Sequence, residues 1–267
     1  MSTNNTNLHQ ITTQLLNASY YIPLPINVYL FKDISSRRTM KVAALFSGGK
    51  DSIFAIYIAQ QYGWDITHLV SIFPENKDSW MYHSVNIHLT KTLANALNIP
   101  LISKETKGEK EEELSSLKEI LSTLDIDGVI SGAIASEYQR TRIEQICHDL
   151  NIKSFTPLWH KDQALLLKDM IQAGFTIKIV GIFADGFDEN WLGKTIDTET
   201  FEQLQKIKEK NGINIAGEGG EYETLVVDSP LFQQQLILKE TKKEWKRDHG
   251  KLFVTKTALK EKERYPV

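Results

Sequence analysis

Ser47-Gly48-Gly49-Lys50-Asp51-Ser52 follows the apolar run Lys41-Val42-Ala43-Ala44-Leu45-Phe46 and precedes a stretch with helical spacing. A strand, a tight anion-gripping turn and a helix N-terminus read this way. Glycines let the backbone come close to an anion, and consecutive N–H groups together with the helix dipole favour negative charge there. Lys50 adds a point charge, and Ser47 and Ser52 add hydroxyl donors. The spacing differs from a Walker loop, which needs four residues between its first glycine and its Gly-Lys-Ser/Thr end. A Gly-Gly turn also serves as a plain helix cap, yet the order of strand, turn and helix points to ATP.

Outward from that turn, the pattern alternates. Helical spacing over residues 51–62 gives way to a strand over 67–73, a helix over 84–97, a strand over 100–103 and a charged helix over 109–124. A strand over 127–131, a helix over 137–150, a strand over 153–156, a helix over 163–173 and a β-rich strand over 176–183 follow. Strands alternating with helices of this length predict right-handed βαβ crossovers, hence an α/β fold with a parallel sheet and helices on both faces. Ligands in such sheets sit at the carboxyl ends of the strands, where the loops after residues 46 and 130 face each other.

From about residue 187 the pattern changes to a helix over 200–210, a glycine-rich stretch and β-like segments near 225–227, 235–241 and 250–256. These predict a smaller C-terminal α+β subdomain over 187–257, beside a nucleotide-binding domain over 40–186 and ahead of a charged tail over 258–267. Residues 1–39, rich in Asn, Thr, Gln and Ser, are expected to be a poorly ordered or peripheral extension.

The chain has 267 residues, a formal net charge of −3 and a hydrophobic fraction of 41%, enough for a large core. A single cysteine, Cys147, rules out an intramolecular disulfide and fits a reducing cytoplasm. No apolar run reaches the ~18 residues of a membrane span. The acidic balance argues against a broad nucleic-acid footprint.

Several clusters border the expected cleft. Ser131-Gly132 ends a buried-type strand, and Ser136 with Gln139 matches a capping box. Arg140 and Arg142 stand near the start of that helix, where cations are disfavoured, so they await either an anion or Glu137 and Glu144. Trp80 and Tyr82, beside His83, offer flat apolar surface to a base or substrate, or to the next helix. Trp159 reads as core, with His160 and Lys161 within reach of a phosphate. Among the glycines of Gly217-Glu218-Gly219-Gly220-Glu221-Tyr222-Glu223-Thr224, three carboxylates repel one another unless a cation is near. They read as solvated loop acids or as a site for magnesium, ammonium or a basic substrate group.

Residues 47–52 resemble the PP-loop of the ATP pyrophosphatases, HUP-like (adenine nucleotide alpha hydrolase-like) proteins that split ATP between its α and β phosphates. Adding Ser79-Trp80-Met81-Tyr82-His83, Ser131-Gly132 with Tyr138-Gln139-Arg140, Pro157-Leu158-Trp159 and the 217–224 stretch, residues 40 to about 232 look similar to the diphthine–ammonia ligase (diphthamide synthase) family. The first 39 residues have no counterpart in that resemblance, nor has this chain the long C-terminal extension of some eukaryotic members. The resemblance implies amidation of diphthine on translation elongation factor 2, with ammonium as nitrogen source and an acyl-adenylate that releases AMP and pyrophosphate. It also implies roles for particular residues. Ser47, Gly48, Gly49, Lys50, Asp51 and Ser52, with Ser131 and Gly132, would hold ATP, and Asp51 would hold Mg2+. Lys50, Asp51, Glu218, Glu221 and Glu223 would serve catalysis. Trp80, Tyr82, His83, Tyr138, Gln139, Arg140, Arg142, Glu218 and Glu221 would meet the substrate. A PP-loop tRNA-modifying ligase and a non-catalytic adenine-nucleotide-binding protein stand as alternatives. Oligomeric state is left open.

Overall fold

The structure, a computed structural model, describes residues 39–74, 85–107 and 110–262. Two sheets organise them. The first runs β3-β2-β1-β4-β5 through β1 (Lys41–Leu45), β2 (Asp65–Pro74), β3 (Leu101–Thr106), β4 (Gly128–Ile130) and β5 (Lys153–Phe155), every pairing parallel. Helices connect them: α1 (Lys50–Gln61), α2 (Thr90–Leu97), α3 (Lys110–Ser122) and α4 (Glu137–Asp149). A short 3-10 turn at Ile87–Leu89 replaces the first part of the helix expected from residue 84.

Period-two alternation decides which side chain serves which face. Val42 and Ala44 join the core beneath α1 and α2, whereas Ala43 joins Val70, Leu117 of α3 and Ile143 of α4 on the other side. Both faces are therefore covered, as the sequence predicts for a parallel sheet. Asp125 and Asp127 pin the start of β1 and β4: Lys41 Nζ lies 2.7 Å from Asp125 and the Lys41 amide donates to Asp127 at 2.9 Å.

The second sheet runs β7-β6-β9-β8, from β6 (Thr176–Ile182), β7 (Tyr222–Asp228), β8 (Gln234–Lys246) and β9 (His249–Glu261), with antiparallel pairings. Helix α5 (Gln163–Gln172) precedes β6, and α6 (Thr198–Asn211) lies between β6 and β7. This corrects the sequence reading of residues 176–183 as a further parallel strand. β6 is buried on both faces, and a strand buried on both faces reads the same whether its neighbours run with it or against it. The expected tail also begins later, because β9 carries residues 258–261 into the sheet opposite Gln234 to Ile237.

One core unites the two sheets: Val42 and Ile130 of the first share it with Ile179 and Val226 of the second. No helix among the described residues is long and apolar enough to cross a membrane.

Candidate active site

The strand order reverses between β1 and β4, so the loops leaving their carboxyl ends diverge to opposite sides and open a crevice there. Residues 47–49 leave β1 and enter α1. Gly48 takes φ +80°, a left-handed conformation that favours glycine, and a Cβ there would stand 2.6 Å from Leu93. Gly49 caps α1 in extended conformation and brings no side-chain acceptor to the first turn. The early helical amides thus face the crevice with light commitments: Gly49 N–H donates to Ser47 Oγ at 3.3 Å and Lys50 N–H to Thr224 Oγ1 at 3.1 Å. Ser52 Oγ donates to the Gly49 carbonyl at 3.0 Å and lies 3.3 Å from Ser47 Oγ, which holds the turn closed on itself.

Gly132 meets this turn from the other side. A Cβ on Gly132 would lie 2.7 Å from both the Asp51 carbonyl carbon and the Ser52 nitrogen. Only a residue without a side chain lets the loop after β4 approach the helix start so closely. Ser131, buried, accepts from the Ala133 amide at 3.3 Å and shapes that approach. The sequence places these two loops opposite each other, and the structure brings them into contact.

Lys50 is buried, its Nζ 2.7 Å from Asp51 Oδ2 and 5.8 Å from the Tyr222 ring centroid. Asp51 Oδ1 is buried too, with no hydrogen-bond partner among the described residues. A carboxylate that spends one oxygen on an ammonium and leaves the other dry is a fitting donor for a hard cation such as Mg2+.

The glycine-rich stretch closes the crevice from the C-terminal side. Its three carboxylates are not equivalent. Glu221 accepts from the amides of Asn214 at 2.7 Å and Gly219 at 2.8 Å, which makes it the brace of its own loop. Glu223 accepts from the Val85 amide and ties β7 to the start of the 3-10 turn. Glu218 reaches across to the Ala135 amide at 3.2 Å, beside the loop after β4. Burial holds its carboxyl above the ordinary range and the charge of Asp51 adds to this, against the pull of Lys50. Tyr222, fully buried, donates its hydroxyl to the Ile215 carbonyl at 2.6 Å; burial keeps the phenol well above its usual pKa.

Tyr138, Gln139, Arg140 and Arg142 sit on the first turns of α4. Ser136 accepts from the Gln139 amide at 3.4 Å, the cap expected from sequence. Arg140 bonds Glu144 at 2.8 Å and Glu137 at 3.1 Å, and its guanidinium lies 4.7 Å from the Trp159 ring. Arg140 thus makes the local pairing with Glu137 and Glu144 that the sequence offers. Arg142 lies 3.4 Å over the Tyr138 ring. Trp80, Tyr82 and His83 fall outside the described residues.

Sequence reasoning assigned no role to Thr224, Tyr222, Val226 or Ala135. Thr224 and Tyr222 grip Lys50, and the Val226 amide donates to the Gly48 carbonyl at 3.1 Å, so β7 runs beside the turn at 47–49. Period-two spacing puts Tyr222 and Thr224 on one face of a strand; nothing local says that this face meets residue 50.

Comparison with known proteins gives the family. The family model for the diphthamide synthase N-terminal domain matches residues 40–154, and that for the diphthamide synthase C-terminal domain matches residues 162–259. A diphthine–ammonia ligase from Danio rerio is 36% identical over 224 residues, covering 76% of this chain and 88% of that protein. The Homo sapiens protein of the same name is 35% identical over 222 residues, covering 74% and 83%. That from Schizosaccharomyces pombe is 35% identical over 221 residues, but this chain spans only 36% of its length. With both family models matched in order, one across the turn at 47–52 and the other across the glycine-rich stretch at 217–224, the chain belongs to the diphthamide synthase family.

Proposed function

We propose that this chain catalyses ATP-dependent amidation of diphthine on translation elongation factor 2, taking ammonium as nitrogen source and releasing AMP and pyrophosphate. The observation that carries the reading is the three-way junction at the helix start. The turn at 47–52, Gly132 and the 217–224 stretch meet there, and the family matches extend over all three.

Amide formation from a carboxylate fails unaided because the leaving group would be oxide. Attack by a carboxylate oxygen on the α-phosphorus breaks the α–β bridge and expels pyrophosphate; attack of ammonia on the resulting acyl carbon then expels AMP. In this reading the amides of residues 48–52 and Lys50 hold the departing pyrophosphate, a preorganised set of donors where charge develops. Asp51 would hold Mg2+ through Oδ1, and the metal would supply screening of phosphate charge. Glu218, facing the crevice from the opposite wall, receives the cationic side of the substrate or the ammonium. Glu221 and Glu223 hold the loop and strand that present it. Ser47, Ser52 and Ser131 complete the nucleotide's polar lining. A reducing cytoplasm, where such a factor resides and Cys147 stays a thiol, is the compartment we assign.

Product analysis tests the reading. With diphthine-bearing elongation factor, ATP and ammonium, AMP and pyrophosphate should appear in step with amide; ADP as product overturns it. Lys50→Ala should lower turnover by roughly 10²-fold or more, since it removes a donor aimed at developing charge. Unaltered turnover would remove Lys50 from the mechanism.

A further inference from the structure

Strand β7 stands at the edge of the second sheet, paired with β6 on one side only. Its other edge runs along the turn at 47–49, where the Val226 amide donates to the Gly48 carbonyl at 3.1 Å. Two residues earlier, Thr224 turns its side chain to the same turn and accepts from the Lys50 amide at 3.1 Å. Strand and turn are so close that a Cβ on Gly49 would lie 3.5 Å from the Thr224 carbonyl oxygen and 3.6 Å from its Oγ1. The Thr224 side chain is accordingly buried, at 8% exposure.

Threonine suits a strand because it is β-branched, and valine would fill the same space. What valine lacks is the hydroxyl, which can both accept and donate. Thr224 Oγ1 accepts from Lys50, while its own proton meets no acceptor among the described residues. The Lys50 amide belongs to the first turn of α1, whose N–H groups point out of the helix end towards the place where an anion binds. A group that accepts from this amide therefore stands on the anion side of the turn. The Asp51 and Ser52 amides, next along the helix, have no acceptor among the described residues. A hydroxyl polarised by the N–H it accepts from gives its own proton more readily, so Thr224 adds one donor to that set. Its burial points the same way: a dry donor without an acceptor costs free energy that a phosphoryl oxygen would remove.

We propose that Thr224 binds the departing pyrophosphate, its hydroxyl accepting from the Lys50 amide and donating to a phosphoryl oxygen beyond the α-phosphorus. This rests on the amidation reading above. The pyrophosphate site then takes its backbone donors from the turn after β1 and a hydroxyl from β7, and neither sheet completes it alone. The stretch that carries Glu218 to the Ala135 amide also carries Thr224 to the Lys50 amide, so one segment serves both the substrate wall and the leaving group.

Calorimetric titration of the full chain with inorganic pyrophosphate and magnesium, and separately with AMP, tests this in the wild type, Thr224→Val and Thr224→Ser. Valine keeps the shape and removes the hydroxyl; serine keeps the hydroxyl. Thermal unfolding checks that both variants hold the fold. Thr224→Val should weaken pyrophosphate binding about ten-fold, the contribution of one hydrogen bond to a charged group, and leave AMP binding as it is. Thr224→Ser should bind pyrophosphate as the wild type does. Unchanged pyrophosphate affinity in Thr224→Val overturns the proposal while the amidation reading stands. Tighter binding overturns it too, because the side chain would then be occupying the anion's own place. Equal weakening of AMP and pyrophosphate overturns it in favour of a general loosening of the turn. ADP as the wild-type product overturns the amidation reading and this proposal together.

Discussion

A methyl group on Gly132 would meet the backbone of Asp51 and Ser52 at 2.7 Å, and backbone cannot step aside as a side-chain tip can. Gly132→Ala should therefore push the loop after β4 off the helix start. The expected cost is about 1–3 kcal/mol of stability, as for other overpacked sites, with a larger loss of ATP affinity; thermal unfolding and calorimetric titration measure the two. Equal affinity for ATP would mean that the two loops need not touch. Glu218 predicts an effect of the opposite sign. Its carboxyl holds a proton above the usual 4.5, chiefly because burial penalises the charge, so ionisation disfavours the fold at neutral pH. Below 4.5 the unfolded chain is protonated as well and the penalty is absent; it sets in as pH rises through the folded-state value. Glu218→Gln should accordingly raise the unfolding temperature at pH 7, lower amidation, and lose its stabilising effect towards pH 4. A destabilised variant at pH 7 would assign Glu218 a bracing role instead. Cys147, its thiol pushed up to about 11 by burial, is a core side chain and no nucleophile at neutral pH.

Elements differ in how far they declare themselves. Helix α6, placed by its spacing over 200–210, is capped by Asp197, whose side chain accepts from the Thr200 amide at 2.8 Å, and stops at Gly212 in left-handed conformation. That amide bond holds the Asp197 carboxyl below its ordinary 3.8. Asp197→Ala should cost about 1 kcal/mol at pH 7, and the difference should fade as pH falls below 3.8 and through the lowered folded-state value, where the cap takes up its proton; urea titrations at neutral and acid pH check it. The strands are less forthcoming. β7 has a run of buried residues that any central strand shows, but it lies along the turn at 47–49, with Thr224 on the Lys50 amide and Val226 on the Gly48 carbonyl. Local spacing identifies a strand there and is silent on its neighbour.

At the scale of the whole molecule, the core beneath α1 runs without a break from Val42 of the first sheet to Val226 of the second. Neither sheet buries its inner face alone. Chemical denaturation should therefore give one transition by both far-ultraviolet dichroism and tryptophan fluorescence, with Trp64 in one part and Trp191 in the other reporting together. Two separated transitions would show that the sheets are stable independently. What the amino-acid order alone determined is everything written in spacings of two to four residues: the glycine turn at 47–49, the period of the helices, the cap at Ser136, and the doubly covered parallel sheet. The tertiary structure alone decided that β6 turns away to an antiparallel sheet and that Glu221 and Glu223 brace while Glu218 faces the crevice. It alone set Lys50 against Thr224, 174 positions along the chain. Such partners are chosen by which surfaces fit once loops close, and no local preference of either residue contains that information.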